Sequence, residues 1–250
     1  MDISILQISN NHYTPMTVTL IDYTKDAIDK LLYTKNTRLT QGQDTRKQIQ
    51  QMSQEEKLHQ LRYVAKTVPS SWEFVVYTFE ILGVTRAFTH QLVRTRTGSY
   101  AQQAQRINKM ENFTYEVGPT VAQSRLLLDG YKECMANVQH WYDWLIEHGA
   151  AVEDARGVLP TNIHTNIIAQ FNLRALSDLV RKRWTARVQD EYRSVVVGMV
   201  EAVIEVHPWA GDFLIPDKVA VLKELEDLVT AHLSSNKMDA LKLIDLLRKE

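Results

Sequence analysis

The sequence lacks most features that would commit a chain to a membrane, to secretion or to a disulfide framework. It has one cysteine, Cys134, in 250 residues, so no internal disulfide can form, which agrees with a reducing cytosol. No apolar run approaches the roughly 18 residues that a bilayer-spanning helix needs. The first ten residues lack the basic start and the cleavage site of a signal peptide. We therefore expect a soluble, cytosolic protein that enters no membrane.

The sequence also has little net charge and few of the common catalytic motifs. Its formal net charge is −1, which gives no electrostatic case for nucleic acid. The eight histidines are scattered without the spacing of a zinc motif, and we predict no metal site. The signatures GxSxG, Walker A and GxGxxG are absent, so hydrolase, P-loop and dinucleotide-binding folds are not indicated. An anionic ligand would have to meet a local cluster of arginines.

Hydrophobic periodicity predicts an α+β fold, with long helices around a modest, mostly antiparallel sheet, in a single domain over 1–250. The polar segment 36–52 is interrupted by Gly42 and is predicted to be a loop or mobile excursion. Strands are predicted at 2–9, 16–23, 74–81 and 163–172. Helices are predicted at 24–34, 84–93 and 173–183, and two more within 217–249. A further helix begins at the capping box of Ser53 and Glu56 and ends at Pro69. Apolar stripes predict helices from Val121 to Gly149 and from Tyr192 to Val203.

The densest polar cluster spans 91–106 and holds three arginines, four glutamines and Gly98. Arginine offers a rigid fork of donors that matches phosphate oxygens. Glutamine amides present a donor and an acceptor together, as the edge of a pyrimidine requires. Gly98 would let the backbone approach a ligand closely. From these residues alone, a nucleotide site and a solvated polar loop are both open.

A second polar cluster follows the strand predicted to end at Asn172. On a helix, Arg174, Asp178 and Arg181 would share one face, and Arg183 and Arg187 another. Ion pairs on a solvated face account for this pattern without any ligand, and the residues alone favour that interpretation. Arg156 stands alone before a turn and carries no information by itself.

Four segments, taken together, are more specific. They are Ser71-Trp-Glu73 with Tyr77-Thr-Phe, the run from Gly83-Val-Thr-Arg-Ala through His90-Gln-Leu-Val-Arg94-x-Arg96 to Gln105-Arg106, Ala155-Arg156-x-Val-Leu-Pro160, and Asn172-x-Arg174 followed by Arg183. In this order they resemble the flavin-dependent thymidylate synthase family, and the similarity runs from about residue 65 to 210.

The resemblance implies a homotetramer with shared active sites that uses FAD, NADPH and methylenetetrahydrofolate. The implied reaction is reductive methylation of dUMP at C5 without a cysteine nucleophile, and Arg183 is the implied catalytic residue that polarises the uracil. The positions implied to contact dUMP are Gln91, Arg94, Gln102, Gln103, Ala104, Gln105, Arg106, Arg156 and Arg183. The positions implied to contact FAD are Ser70, Arg94, Thr95, Arg96, Gln102, Asn172, Arg174 and Asp178.

Several positions depart from the family pattern. Thr95 replaces the central histidine of the hallmark Arg-His-Arg, and Ala104 replaces its serine. Phe74 and Ile107 stand where a histidine and an aromatic residue are usual, and Asp178 where Asn or His is usual. Three hypotheses follow: a thymidylate synthase with a remodelled flavin pocket, a relative that modifies C5 differently, for example by hydroxymethylation, and a silent homologue that binds nucleotide or flavin.

Overall fold

The structure is a computed structural model that describes residues 15–37, 43–67, 69–184 and 190–216. Its strands are β1 Thr17–Tyr23, β2 Val76–Thr85, β3 Ser99–Gln102 and β4 His164–Asn172. Its α-helices are α1 Ala27–Asn36, α2 Gln43–Gln51, α3 Gln54–Thr67, α4 Arg86–Leu92, α5 Pro119–Ala122, α6 Arg125–Glu147, α7 Val152–Ala155, α8 Leu173–Arg183, α9 Asp190–Val206 and α10 Gly211–Leu214. The predicted α+β class is confirmed. The predicted strand at 2–9 and the two helices within 217–249 lie outside the described residues.

Contacts between residues divide the chain into two compact units. The first contains 15–23, 76–171 and 190–195 of the described chain, and the second contains 24–37, 43–67, 69–75, 172–184 and 196–216. Within the described part, no helix is both long enough and apolar enough to cross a bilayer. The same residues contain no group of three His, Cys, Asp or Glu side chains placed to hold a metal ion.

The first unit is built on a four-stranded sheet with the order β1-β2-β4-β3. β1 pairs antiparallel with β2, and β3 pairs antiparallel with β4. Both central strands bury alternate side chains, because successive residues of a strand point to opposite faces of the sheet. The buried residues are Tyr77, Phe79 and Ile81 on β2 and Ile167, Ala169 and Phe171 on β4.

The boundary between β2 and α4 lies later than the sequence predicted. We expected Gly83 to separate a strand from a helix over 84–93, but β2 continues through Gly83 to Thr85. Gly83 has a φ of 66°, which glycine adopts without steric cost, and its N–H donates to the Asn166 side chain at 3.0 Å. Thr85 then caps α4, since its hydroxyl accepts from the Phe88 N–H at 3.0 Å.

Helix α6 follows the sequence prediction closely. Ser124 is its N-cap, and the His148 and Gly149 region ends it. Gly149 has a φ of 89°, and its N–H donates to the Ile146 carbonyl at 3.1 Å. This is the left-handed glycine that commonly terminates a helix.

The second unit is helical, and it corrects one prediction. The excursion predicted over 36–52 is wrong for its second half, because α2 occupies Gln43–Gln51. Thr45 and Ile49, four residues apart on this helix, are both buried. A single buried residue on each turn therefore holds α2 in place, although the segment is too polar to show a helical stripe.

The start of α3 confirms the predicted capping box. The Ser53 N–H donates to Glu56 Oε2 at 2.8 Å, and the Glu56 N–H donates back to Ser53 Oγ at 3.2 Å. The bond from the Ser53 hydroxyl holds the pKa of the Glu56 carboxyl below its usual range. These reciprocal bonds satisfy two backbone donors that the first turn of a helix leaves free.

The structure gives Gly98 a packing role, and its predicted close approach to a ligand stays a prediction. A Cβ atom at Gly98 would lie 2.5 Å from Phe171 Cε1 and 2.5 Å from the Tyr100 hydroxyl oxygen. These two rings meet edge to face, with centroids 5.8 Å apart. The backbone at Gly98 therefore lies against the aromatic pair.

We expect Gly98→Ala to lower the free energy of unfolding by about 1–3 kcal/mol, because the methyl group would push the aromatic pair apart. Urea denaturation of the variant measures this change. Gly130→Ala is the matched control, since a Cβ at Gly130 on α6 meets nothing within 4 Å and alanine favours the helix. A Gly98→Ala protein as stable as the wild type would contradict this account of the site.

Candidate functional site

The first group of candidate residues surrounds the turn between α4 and β3. Gln91 lies on α4, and Arg94 and Arg96 are exposed in the turn that follows. The Tyr100 hydroxyl donates to the Thr95 carbonyl at 2.7 Å and lies 3.1 Å from the Leu92 carbonyl. Burial raises the pKa of Tyr100 to about 12, so the hydroxyl remains a neutral donor at physiological pH. The turn thus holds two guanidinium groups at the surface on a rigid support.

The glutamines of this group have distinct surroundings. Gln102 donates from its side-chain amide to Thr89 Oγ1 at 2.7 Å, and the Gln103 backbone N–H donates to the Asn166 carbonyl at 3.0 Å. The amide nitrogen of Gln105 is buried and has no hydrogen-bond partner among the described residues. Because buried polar atoms are normally bonded, this amide is the glutamine group best placed to serve a ligand. Ala104 and Arg106 flank it in the chain.

Sequence reasoning missed Arg86, the first residue of α4. The half-buried Arg86 side chain donates from Nη1 to the Gln103 carbonyl at 3.4 Å. Its pKa is lowered, chiefly by burial and then by the positive charge of Arg156. Arg156 itself is exposed and donates from Nε to the Glu153 carbonyl at 3.1 Å. Arg86 lies within the family segment Gly83-Val-Thr-Arg-Ala, but no periodicity marked it as part of a site.

Arg86 and Arg156 are two cationic side chains of the first unit, and the charge of Arg156 contributes to lowering the pKa of Arg86. A guanidinium that is destabilised by burial and by another positive charge is stabilised when an anion binds beside it. Phosphate suits such a pair, because each guanidinium can donate two parallel hydrogen bonds to it. The proximity of these two arginines, 70 positions apart in the chain, is a product of the fold.

The second group lies in the second unit, along α8 and the 3₁₀ segment Pro69–Phe74. Asn172 caps α8, because its Oδ1 accepts from the Ala175 N–H at 2.8 Å. Arg174 donates from Nη1 to Glu73 Oε1 at 2.6 Å. Ser70 lies in the 3₁₀ segment, and Arg183 is half-buried in the last turn of α8. Arg187 lies outside the described residues.

A cleft of about 290 Å³ opens beside this part of α8. The predicted flavin positions Arg174 and Asp178 line it, together with Lys66 and Arg181, which sequence reasoning did not assign to the site. The side chains that complete the lining are Ala65, Pro69, Trp72 and Ser177. The lining thus contains three cationic side chains, one carboxylate and one tryptophan, a set of groups suited to an anionic group attached to a planar ring.

The charge of Asp178 is not neutralised in the way the sequence suggested. We considered Arg174 and Arg181 as its partners, because all three share a helix face. Arg174 instead pairs with Glu73 at 2.6 Å, and no ion pair within 4.0 Å joins Asp178 to another described residue. Asp178 therefore offers the cleft a carboxylate that can accept hydrogen bonds from a ligand.

Each of the two groups of candidate residues contains clustered guanidinium and amide side chains. Together they define a candidate nucleotide-binding protein. A sequence model of the family described as thymidylate synthase complementing protein matches residues 19–209. The flavin-dependent thymidylate synthase of Sulfurisphaera tokodaii is 33% identical over 199 residues, which cover 77% of this chain and 75% of that protein. The chain belongs to the flavin-dependent thymidylate synthase family.

Two further relatives bear the same name. The protein of Pyrococcus furiosus is 33% identical over 189 residues, covering 74% of this chain and 77% of that protein. The protein of Saccharolobus solfataricus is 39% identical over 140 residues. That alignment covers 54% of this chain and about half, 52%, of the relative. The family resemblance inferred from the four segments is confirmed.

Substitution of Asn172 tests whether this predicted FAD position binds the cofactor in addition to capping α8. We expect Asn172→Asp to retain the cap, because a carboxylate oxygen can accept from Ala175 N–H, whereas Asn172→Ala loses about 1 kcal/mol of stability. If the amide N–H₂ also binds FAD, both variants will bind FAD more weakly than the wild type. Thermal unfolding and a fluorescence titration with FAD measure the two effects. Wild-type flavin affinity in the Asn172→Asp protein would show that Asn172 only caps the helix.

Proposed function

We propose that this chain is a flavin-dependent thymidylate synthase that converts dUMP to dTMP by reductive methylation at C5, with methylenetetrahydrofolate and NADPH as co-substrates. Family membership and the names of the relatives support this activity. The structural observation that carries it is the half-buried guanidinium of Arg86, which donates to the Gln103 carbonyl two residues before Gln105, whose side-chain amide nitrogen is buried and has no partner among the described residues. A phosphate and the edge of a pyrimidine require donors of these two kinds.

The nucleotide is bound, in this proposal, by side chains with separate tasks. Arg86 and Arg156 hold the phosphate, and Gln105 donates to a carbonyl of the base. Arg94 and Arg106 add positive charge around the anion. Arg183 stabilises the negative charge that develops on the uracil when C5 reacts, because a guanidinium stays protonated at every physiological pH.

The cleft of the second unit fits the anionic part of FAD. Lys66, Arg174 and Arg181 supply donors for the diphosphate, and Trp72 supplies an apolar wall. At about 290 Å³ the cleft has the size of a small-ligand pocket, so it would receive one portion of this large cofactor. When bound, FAD would supply the hydride carrier of the reaction.

Thr95 and Phe74 replace histidines on the flavin side, and this favours one alternative product. Phe74 is 56% exposed beside Glu73 and Ile107 is 70% exposed, so both apolar side chains are open to a ligand or to another subunit. Altered residues on the flavin side, with the nucleotide arginines kept, are what a different modification at C5 predicts. Hydroxymethylation of the same nucleotide is therefore the second candidate function.

We further propose that the protein works in the cytosol as a homotetramer with shared active sites. The free, exposed thiol of Cys134 suits a reducing compartment. The exposed rings of Trp141 and Trp144 on α6 suit burial against a neighbouring subunit. Light scattering of the purified protein measures the assembly.

The activity is tested by incubating the purified protein with dUMP, methylenetetrahydrofolate and NADPH and measuring the product by mass spectrometry. We expect a nucleotide heavier than dUMP by one methyl group. A mass increase of one hydroxymethyl group would favour the alternative product. Absence of any product, from protein that binds flavin, would overturn both. Arg183→Ala is the control, because it should lose turnover and still bind FAD.

The phosphate assignment is tested by Arg86→Met, which keeps most of the side-chain volume. We expect KM for dUMP to rise roughly 10-fold to 100-fold, the effect of one lost charge-assisted hydrogen bond. The change in kcat should be small, since a phosphate contact is made equally in the ground and transition states. With deoxyuridine as substrate, which has no phosphate, the variant and the wild type should be equal. Arg125→Met, an exposed arginine on α6, is the control.

An Arg86→Met enzyme that loses the same factor with deoxyuridine would show that Arg86 does not bind the phosphate. The same experiment on Arg156→Met then decides whether the two arginines act together. Equal effects of the single and double substitutions on KM would indicate one shared anion site.

A further inference from the structure

A carboxylate that no part of the proposed mechanism uses lies at the N-terminus of α4. Glu191, in the first turn of α9, accepts two short hydrogen bonds from the same residue. Its Oε1 accepts from the Thr85 N–H at 2.6 Å, and its Oε2 accepts from the Thr85 hydroxyl at 2.7 Å. Hydrogen bonds to an ionised acceptor are about twice as strong as those between neutral groups. Residues 106 positions apart in sequence are thus joined at one point.

Thr85 is a junction of three elements. It is the last residue of β2 and the N-cap of α4, and its hydroxyl accepts from the Phe88 N–H at 3.0 Å. Thr85 is also buried, so water cannot replace a lost partner easily. The next two backbone N–H groups, of Arg86 and Ala87, donate to the carbonyls of Ile163 and Thr161 at 3.0 and 2.7 Å.

Helix α4 depends on these contacts for its position. It has seven residues, and a helix of this length has little stability of its own. The first turn of α9 holds it at a second point, because the Tyr192 ring meets the Phe88 ring edge to face with centroids 5.0 Å apart. Glu191 therefore contacts the N-cap of α4, and Tyr192 contacts its first turn. This helix carries Arg86 and Gln91.

We propose that Glu191 is a positioning residue of the nucleotide site, which holds Thr85 so that the adjacent Arg86 keeps its place against the Gln103 carbonyl. This inference rests on the proposed function, because it assigns to Arg86 the phosphate of dUMP. Glu191 acts through Thr85 and touches no reacting atom in this scheme. A shift of Thr85 moves the Cα of Arg86 directly, since the two residues are adjacent.

The carboxylate of Glu191 depends on Thr85 for its hydrogen bonds. Its pKa is raised, chiefly by burial and also by the negative charge of Glu116, while the two bonds from Thr85 and the nearby His164 act in the opposite direction. His164 Nε2 lies 3.6 Å from Glu116 Oε2. Only the ionised carboxylate can accept from both donors of Thr85, because protonation or amidation turns one of its two acceptors into a donor.

The test compares four proteins: Glu191→Gln, Thr85→Val, the double variant and the control Glu201→Gln. Glu201 is exposed on the same helix α9. We expect Glu191→Gln to raise KM for dUMP roughly tenfold, the effect of one lost charge-assisted hydrogen bond, with KM for NADPH changed less than twofold. The double variant should be no worse than Thr85→Val, because Glu191 acts through that residue. With deoxyuridine the effect of Glu191→Gln should disappear.

A residue that only stabilises the fold would give a different result. It would lower the melting temperature and the active fraction, but KM for dUMP would stay unchanged. An unchanged KM, additive effects of Glu191→Gln and Thr85→Val, or an equal loss with deoxyuridine would each overturn the inference.

Amide hydrogen exchange over residues 85–92 provides a readout that does not depend on turnover. We expect Glu191→Gln to raise exchange in α4 at least tenfold and to leave β4 unchanged, and the control variant to leave both unchanged. Unchanged exchange in α4 would overturn the positioning role of Glu191 even in an active enzyme. If the wild-type protein binds and converts no dUMP, the proposed function fails, and the exchange data still decide whether Glu191 holds α4.

Discussion

A half-buried cation near a second positive charge is the constraint on which the candidate nucleotide site depends. Burial, and after it the charge of Arg156, lowers the pKa of Arg86, so the charged form of Arg86 is destabilised in the free protein. The side chains could relieve this repulsion by moving apart if the backbone were loose. It is not, since Thr85, Arg86 and Ala87 are all bonded through their N–H groups. In the proposed site, the fold would thus hold these charges in place before an anion binds.

At the other candidate positions, too, single neighbouring residues hold the candidate side chains in place. The Tyr100 hydroxyl holds the turn that carries Arg94 and Arg96, and Gly98 makes room for that ring. Asn172 caps the helix that carries Arg174 and Asp178. Residues that a sequence comparison assigns to ligands therefore lie among residues that only position them. Substitutions at either kind of residue will change binding, and only stability measurements tell them apart.

The departures from the family pattern fall unevenly over the chain. The arginines that the resemblance assigns to the nucleotide are present in the sequence, and we propose Arg86 as a further one. On the flavin side, Asp178 lines a cleft in which Lys66, Arg174 and Arg181 supply positive charge. The carboxylate of Asp178 therefore shares the cleft with three cationic side chains, although none of them forms an ion pair with it among the described residues. The replaced histidines have no such compensation among the described contacts, so the chemistry of the flavin is where this protein is expected to differ from its relatives.

Sequence reasoning located most of the elements, because apolar periodicity reports directly which face of a helix or strand is buried. Helix α8 begins and ends where the pattern predicted, and the capping box of Ser53 and Glu56 is present. It failed at α2, where two buried residues are too few to form a recognisable stripe. It also failed at Gly83, because a glycine inside a strand looks the same in sequence as a glycine in a turn.

For the site, the sequence by itself determined the kinds of group available: arginines for an anion, glutamines for a base and a family order that relates them to dUMP and FAD. Only the tertiary structure decided which of these groups meet. The proximity of Arg86 to Arg156 and the bonds from Glu191 to Thr85 join residues 70 and 106 positions apart in the numbering. Such contacts depend on how strands and helices pack, and no local pattern of residues records that packing.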